Sequence, residues 1–214
     1  MPRLSQIVRA IAIVAAWMLV AGTPASASSC PNTNVQVRWL SQAAMEGSIA
    51  CLINEQRATF GVPPVAPNTE LRQAALSHST EMVSESYFEH TSPAGVTFVD
   101  RIVATGYTKG ARAWEVGENL VWGSGPLSTP QSLVTSWMNS PPHRENLLRP
   151  RFNEIGIAAV VGTPRSSSDA NGVTVSSEYG FRSFAKARKA KANKKKHHKR
   201  KARKPRAHRH HART

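Results

Sequence analysis

Trp137-Met138-Asn139-Ser140-Pro141-Pro142-His143-Arg144-Glu145-Asn146-Leu147-Leu148 is the stretch on which the reading of this chain turns. Upstream of it, Thr129-Pro130 supplies an N-cap followed by the proline favoured at the first helical position. A helix is therefore expected from there, burying Leu133, Val134, Trp137 and Met138 and ending before Pro141-Pro142. Working outward, residues 41–60 should form another helix. Ser41 caps it, Ile49, Leu52 and Ile53 share a face, and Gly61 with Pro63-Pro64 ends it. Asn68 caps a helix to about Ser86 that carries Leu71, Ala74, Ala75, His78, Met82 and Val83, and a short one covers about Thr97 to Thr105 before Gly106. Strands are expected over Glu118–Trp122, Ile155–Val161 and Val173–Phe181, the second one central because it is β-branched and mostly apolar. Four helices and about three strands in one ordinary domain length predict an α+β fold, with helices covering both faces of a small sheet.

The two ends read differently from this body. Residues 1–27 have the form of a secretory signal: Arg3 and Arg9, the apolar run Ile11 to Ala21, then Ala25-Ser26-Ala27 as cleavage site. The run is short of the roughly 20 residues needed to span a bilayer, so no transmembrane segment is expected after cleavage. Residues 185–214 contain 15 Lys and Arg and no acid. Such a segment repels itself and buries too little apolar surface to fold, which predicts a disordered basic tail. The formal charge of +15 thus misdescribes the body: residues 28–184 hold 11 Lys and Arg against all 13 acids, a net of −2. The expected organisation is signal 1–27, an N-terminal arm 28–44, a folded domain 45–184 and the tail. Cys30 and Cys51 are the only cysteines, and an even count in an exported chain favours a disulfide between them; zinc there is disfavoured for want of a CxxC spacing.

Only three histidines lie in the body. His78 falls on the buried side of its helix and reads as a hydrogen-bonded core residue. His90, in Phe88-Glu89-His90-Thr91-Ser92-Pro93, and His143 both fall where a helix gives way to a polar segment. Glu118, in Gly117-Glu118-Asn119-Leu120, is an acid among apolar residues and should be hydrogen-bonded or paired, because an isolated buried charge is costly. Asn119 and Arg144 read as structural, Arg144 with Glu145, Glu154 or Glu118 as partner. Trp114 and Trp122 read as core or cleft wall.

Together these phrases, with Gly106-Tyr107, Ile155-Gly156-Ile157 and Glu178-Tyr179-Gly180 in order, resemble the CAP (SCP-like) superfamily and its bacterial secreted branch, over about Leu52 to Phe184. The resemblance implies a three-layer α-β-α sandwich with two histidines and two glutamates around a cleft. His90, His143 and Glu118 match three of these; the second glutamate, three residues after the helix tryptophan, is Ser140 here. Two imidazoles, a carboxylate and water suit Zn²⁺ or another divalent ion, and an open coordination position could activate water. His90, Glu118 and His143 are accordingly the candidate metal ligands and the candidate catalytic residues. No nucleophile is evident, since Ser92 and Ser140 sit in no Gly-x-Ser-x-Gly elbow. Two functions follow: a secreted binding module whose cleft takes a divalent metal or a small or lipidic ligand, and a metal-assisted hydrolase of envelope or extracellular polymers. The tail is expected to hold the protein to anionic envelope or extracellular polymers. Nucleic acid is the disfavoured partner, as aromatics for base stacking are absent after Phe184.

Overall fold

The computed structural model describes residues 29–185, so the expected signal and nearly all of the expected tail lie outside the described residues. The elements are α1 (Gln42–Thr59), β1 (Ala66–Pro67), α2 (Thr69–Ser84), α3 (Phe98–Ala104), β2 (Ala113–Ser124), α4 (Pro130–Asn139), α5 (Pro141–Leu148), β3 (Glu154–Val161) and β4 (Gly172–Ser183). Short 3-10 turns cover Val37–Trp39 and Gly125–Ser128. The four strands lie in the order β1-β3-β4-β2. β4 runs antiparallel to both neighbours, and β1 joins β3 in parallel over two residues. The fold is α+β, with α2 and α3 on one side of the sheet and α1, α4 and α5 on the other.

The expected caps Ser41, Asn68 and Thr129, and Thr97 as well, each accept a backbone N–H of the first turn, worth about 1 kcal/mol apiece. Three elements differ from expectation. α4 ends before Pro141-Pro142 as anticipated, but the two prolines then open a further helix, α5, because the first helical turn needs no N–H donor from its own residues. β2 is more than twice the anticipated length, since every residue from Ala113 to Ser124 has a partner on β4. β1 escaped notice because a two-residue strand leaves no periodicity to read.

The two faces of the sheet are built differently. Towards α1, α4 and α5, β3 and β4 present Ile155, Ile157, Ala159, Val173, Val175 and Tyr179, which join Met45, Ile49, Leu52, Leu133, Val134 and Trp137 in the main core. Towards α2 they present Gly156, Ala158, Ser176, Glu178 and Gly180. A side chain at Gly156 would collide with the backbone of Leu71 and Arg72, so α2 lies directly on the strands. Gly180 leaves room for Tyr107, whose hydroxyl donates to Glu154 at 2.7 Å. Ser79 goes further and enters the sheet. Its hydroxyl donates to the carbonyl of Ala158 (3.3 Å) and accepts from the N–H of Ser176 (2.9 Å), which are opposite residues on β3 and β4.

Cys30 and Cys51 form a disulfide with a Cα–Cα distance of 5.7 Å. It closes a loop of sequence separation 21, an entropic constraint of about 3 kcal/mol on the unfolded chain, and it fastens the N-terminal arm to α1. Val37 of that arm is buried in the core.

Candidate functional site

The site forms on β2, an edge strand, and draws one histidine from each side of the sheet. Gly117-Glu118-Asn119 accounts for its placement residue by residue. At Gly117 a side chain would crowd Asn146 and Phe152. Glu118, on the α2 face, is buried with its side chain fully inaccessible. Asn119, on the opposite face, donates to the carbonyl of His143 at 2.9 Å. Asn146 completes the clamp by donating to the Glu118 carbonyl and the Asn119 side-chain oxygen, both at 3.1 Å. α5 is thus tied to β2 at its first turn, where His143 stands.

His90 is held from the other side. Its Nδ1 lies 2.7 Å from Glu118 Oε1, so the imidazole donates Nδ1–H to the carboxylate. Glu118 Oε2 accepts from Arg101 at 2.7 Å. The same guanidinium also donates to the carbonyls of His90 (3.0 Å) and Val96 (3.1 Å), fixing the loop that carries the histidine. The His90 side chain is 52% exposed. Its hydrogen bond to Glu118 raises its pKa against the opposing effect of burial. Burial alone would raise Glu118; the hydrogen bond from His90, with the charge of Arg101, holds it below the usual carboxylate range instead.

His143 has a milder anchor. Its Nδ1 lies 2.8 Å from Ser140 Oγ, and partial burial followed by the nearby His90 lowers its pKa. Ser140, which stands where the family resemblance implies a glutamate, therefore supplies a neutral hydroxyl to the second histidine. In the tautomer that donates Nδ1–H to Ser140, the His143 Nε2 lone pair is free, as it is on His90; the hydroxyl can equally donate to Nδ1. His78 is a core histidine, as anticipated. Nε2–H donates to the Glu89 carbonyl at 2.9 Å and Nδ1 accepts from Tyr87 at 3.3 Å. Burial, above all, lowers its pKa, so its 3.9 Å approach to Glu118 is not an ion pair.

One of the expected ligand roles changes with this geometry. Glu118 is consumed by His90 and Arg101, which makes it an orienting residue behind His90 rather than a ligand beside it. Among the described residues, the group that brings three ligand atoms of His, Cys, Asp or Glu close together is Cys30, Cys51 and Glu55, and both of its sulfurs are spent in the disulfide. The donors left for an ion at this site are therefore two imidazole Nε2 atoms, with solvent to complete any shell. That fits an open, weakly held divalent ion and not a closed structural zinc site. A Ser-His-Glu triad is not assembled: Glu118 turns to His90, while the serine meets His143. Arg144 likewise has no acidic partner among the described residues and lies 4.7 Å over the ring of Phe60. Trp114 is 42% exposed, and Trp122 lies under Arg165. Two hollows, of about 270 Å³ between α1, α2 and β3 and about 620 Å³ beside α4 and α5, include none of His90, Glu118 or His143 among their walls.

Sequence reasoning missed Arg101, Asn146 and Glu178. Arg101 and Glu178 left a trace, since Arg101 adjoins the apolar Ile102 in a very short helix and Glu178 is the lone acid of a strand otherwise rich in valine and serine.

The domain that carries this arrangement belongs to a recognised class. Residues 51–179 match the CAP model, the cysteine-rich secretory protein family, and the chain belongs to that family. It is 32% identical over 120 residues to the uncharacterized protein YkwD of Bacillus subtilis (strain 168), a match covering 56% of this chain and 44% of that protein. The fold is also similar to that of an outer surface protein from Borrelia burgdorferi, with a TM-score of 0.52 and 21% identity over 63% of this chain and 90% of that one. A further likeness, with a TM-score of 0.48 and 24% identity, covers 65% of this chain and 43% of an extracellular protein containing a SCP domain from Bacillus anthracis str. Ames. The chain thus spans less than half of the YkwD relative. The expected fold class and family both hold.

Proposed function

We propose that this is an exported CAP-domain binding module that holds a divalent cation, or a small ligand organised by one, between the Nε2 atoms of His90 and His143. The observation that carries the proposal is that both Nδ1 atoms are tied from within the protein, by Glu118 and by Ser140. Such back-bonding fixes ring orientation, and at His90 the carboxylate also fixes the tautomer, which leaves Nε2 as the outward acceptor. Export is supported by the signal-like residues 1–27 and by the disulfide. No helix among the described residues is long and apolar enough to cross a membrane. The basic tail would hold the module to anionic envelope polymers through salt-sensitive contacts.

The test is titration with Zn²⁺ of residues 28–184, which include the whole described core, beside His90→Ala and His143→Ala. Binding in the parent and its loss in both variants is expected; equal behaviour of all three defeats the proposal. Removing the tail matters here, because it carries five further histidines. For the tail, full-length and shortened chains are compared on isolated cell-wall material across a salt series, and equal retention would end the tethering idea. The second reading, a metal-assisted hydrolase, draws its support from the same two-ligand set, which leaves positions open for water. It requires hydrolysis of an envelope polymer that His143→Ala abolishes while the fold is kept.

A further inference from the structure

Behind Glu118 lies a second acid that the two-histidine cleft does not by itself require. Glu178 stands directly opposite Glu118 in the β2–β4 register, so the two side chains leave the same face as cross-strand neighbours. Glu178 is 0% exposed, and the Glu118 side chain is equally inaccessible. The charged and titratable groups around them are few. α3 contributes Arg101, bonded to Glu118; α2 contributes His78, kept neutral by burial; the loop after α2 contributes His90. Glu178 itself receives only the Ser176 hydroxyl, 3.4 Å from Oε1. That hydroxyl is also 3.4 Å from Glu118 Oε2 and has one proton to give. Among the described residues Glu178 Oε2 meets no donor. As a carboxylate oxygen it would be bare and dry. As a protonated oxygen it becomes a donor, with the Glu118 carboxylate beside it as acceptor.

We infer that Glu178 is a positioning residue of the site, a neutral acid that donates its proton to the Glu118 carboxylate and so makes a carboxyl–carboxylate pair whose outer oxygen holds His90 Nδ1–H. The balance is simple. Two carboxyls share one proton and carry one negative charge, and the Arg101 guanidinium matches it. Burial first, and then the charge of Glu118, push the Glu178 carboxyl well above the usual range, in keeping with this geometry. The acid that the helix lacks at Ser140 is thereby supplied from β4, but from behind and without charge. It adds nothing to compete for a cation; it fixes the carboxylate that fixes the histidine. The purpose assigned to the pair rests on the two-imidazole reading, whereas its existence does not.

The experiment uses the full chain, freed of metal with a chelator. Infrared difference spectra at pH 7 between wild type and Glu178→Gln should show the carbonyl stretch of a protonated carboxylic acid in wild type alone. Its absence from wild type, or its persistence in the variant, overturns the inference. Should Glu178→Gln fail to fold, spectra of wild type at neutral and alkaline pH replace it, and the band must fade in alkali. Positioning is read from the His90 Nδ1 proton resonance. Glu178→Gln, which still donates, should leave that resonance in place, while Glu178→Leu, which donates nothing, should shift it. An unshifted resonance in Glu178→Leu overturns the positioning role. Failure of the Zn²⁺ titration with the acid band present would sink the cation and spare the pair; the reverse result would do the opposite.

Discussion

The two faces of the central sheet solve the same packing problem in opposite ways. On the side of α1, α4 and α5 the strands carry large apolar side chains, and the layer is held by burial of hydrocarbon. On the side of α2 they carry glycine, alanine, serine and glutamate, and the helix backbone comes down onto the strands. Close approach keeps that side dry without a thick apolar layer, and the dry side is where the acids of the site lie. Glu118 and Glu178 thus lie on the face with the least room, where a carboxylate can be desolvated and its few partners dictated.

Substitutions on either face should expose that difference. Arg101→Leu strikes hardest, because it leaves the Glu118–Glu178 pair without its cation. We expect a loss of about 3–5 kcal/mol in urea unfolding, and a loss below about 1 kcal/mol, the worth of an exposed pair, would mean that the pair is not charged. Gly156→Ala adds one methyl against the backbone of α2, which cannot give way, and should cost about 1–3 kcal/mol. One residue along, on the opposite face, Ile157→Val removes one methylene from the main core at about 0.5–1.5 kcal/mol. If the addition proves cheaper than the deletion, the close approach of α2 has been overstated.

The smallest effect separates the two histidines. The His90 pKa is raised, so its contribution to stability is present below the unfolded value of 6.5 and fades as pH rises through the folded pKa. His143 is lowered, so its neutral form favours folding above 6.5 and this advantage is lost as pH falls. In metal-free protein, His90→Gln should therefore lose more melting temperature relative to wild type at about pH 5.5 than at about pH 7.5. His143→Gln should gain relative to wild type as the pH is lowered over the same range. Parallel profiles would show that Glu118 and Ser140 hold their histidines alike.

Much of this arrangement was legible in the sequence, and the exceptions have physical causes. Caps and apolar spacing placed α1 to α4, because those signals are local. α5 was hidden by Pro141-Pro142, since proline ends one helix and begins another with equal ease. β2 was read short because its first residues, Trp114 and Glu115, lie where the edge strand meets solvent and show no apolar run. The histidines and Glu118 stood out by residue type. Arg101 and Glu178 did not, because what recruits them is strand register and the packing of α3, and neither is written in nearby residues. The expected ligand role of Glu118 gave way for the same reason: its competitors for hydrogen bonds come from elsewhere in the chain.

The hydroxyl of Ser79 has a kinetic meaning as well. By standing between the Ala158 carbonyl and the Ser176 amide, it makes α2 a rung of the β3–β4 ladder rather than a lid laid over it. α2 cannot lift away without opening the sheet, so the helix and the two strands should exchange their amide hydrogens as one cooperative unit. The loop bearing His90 follows directly from that helix and should share its protection from opening.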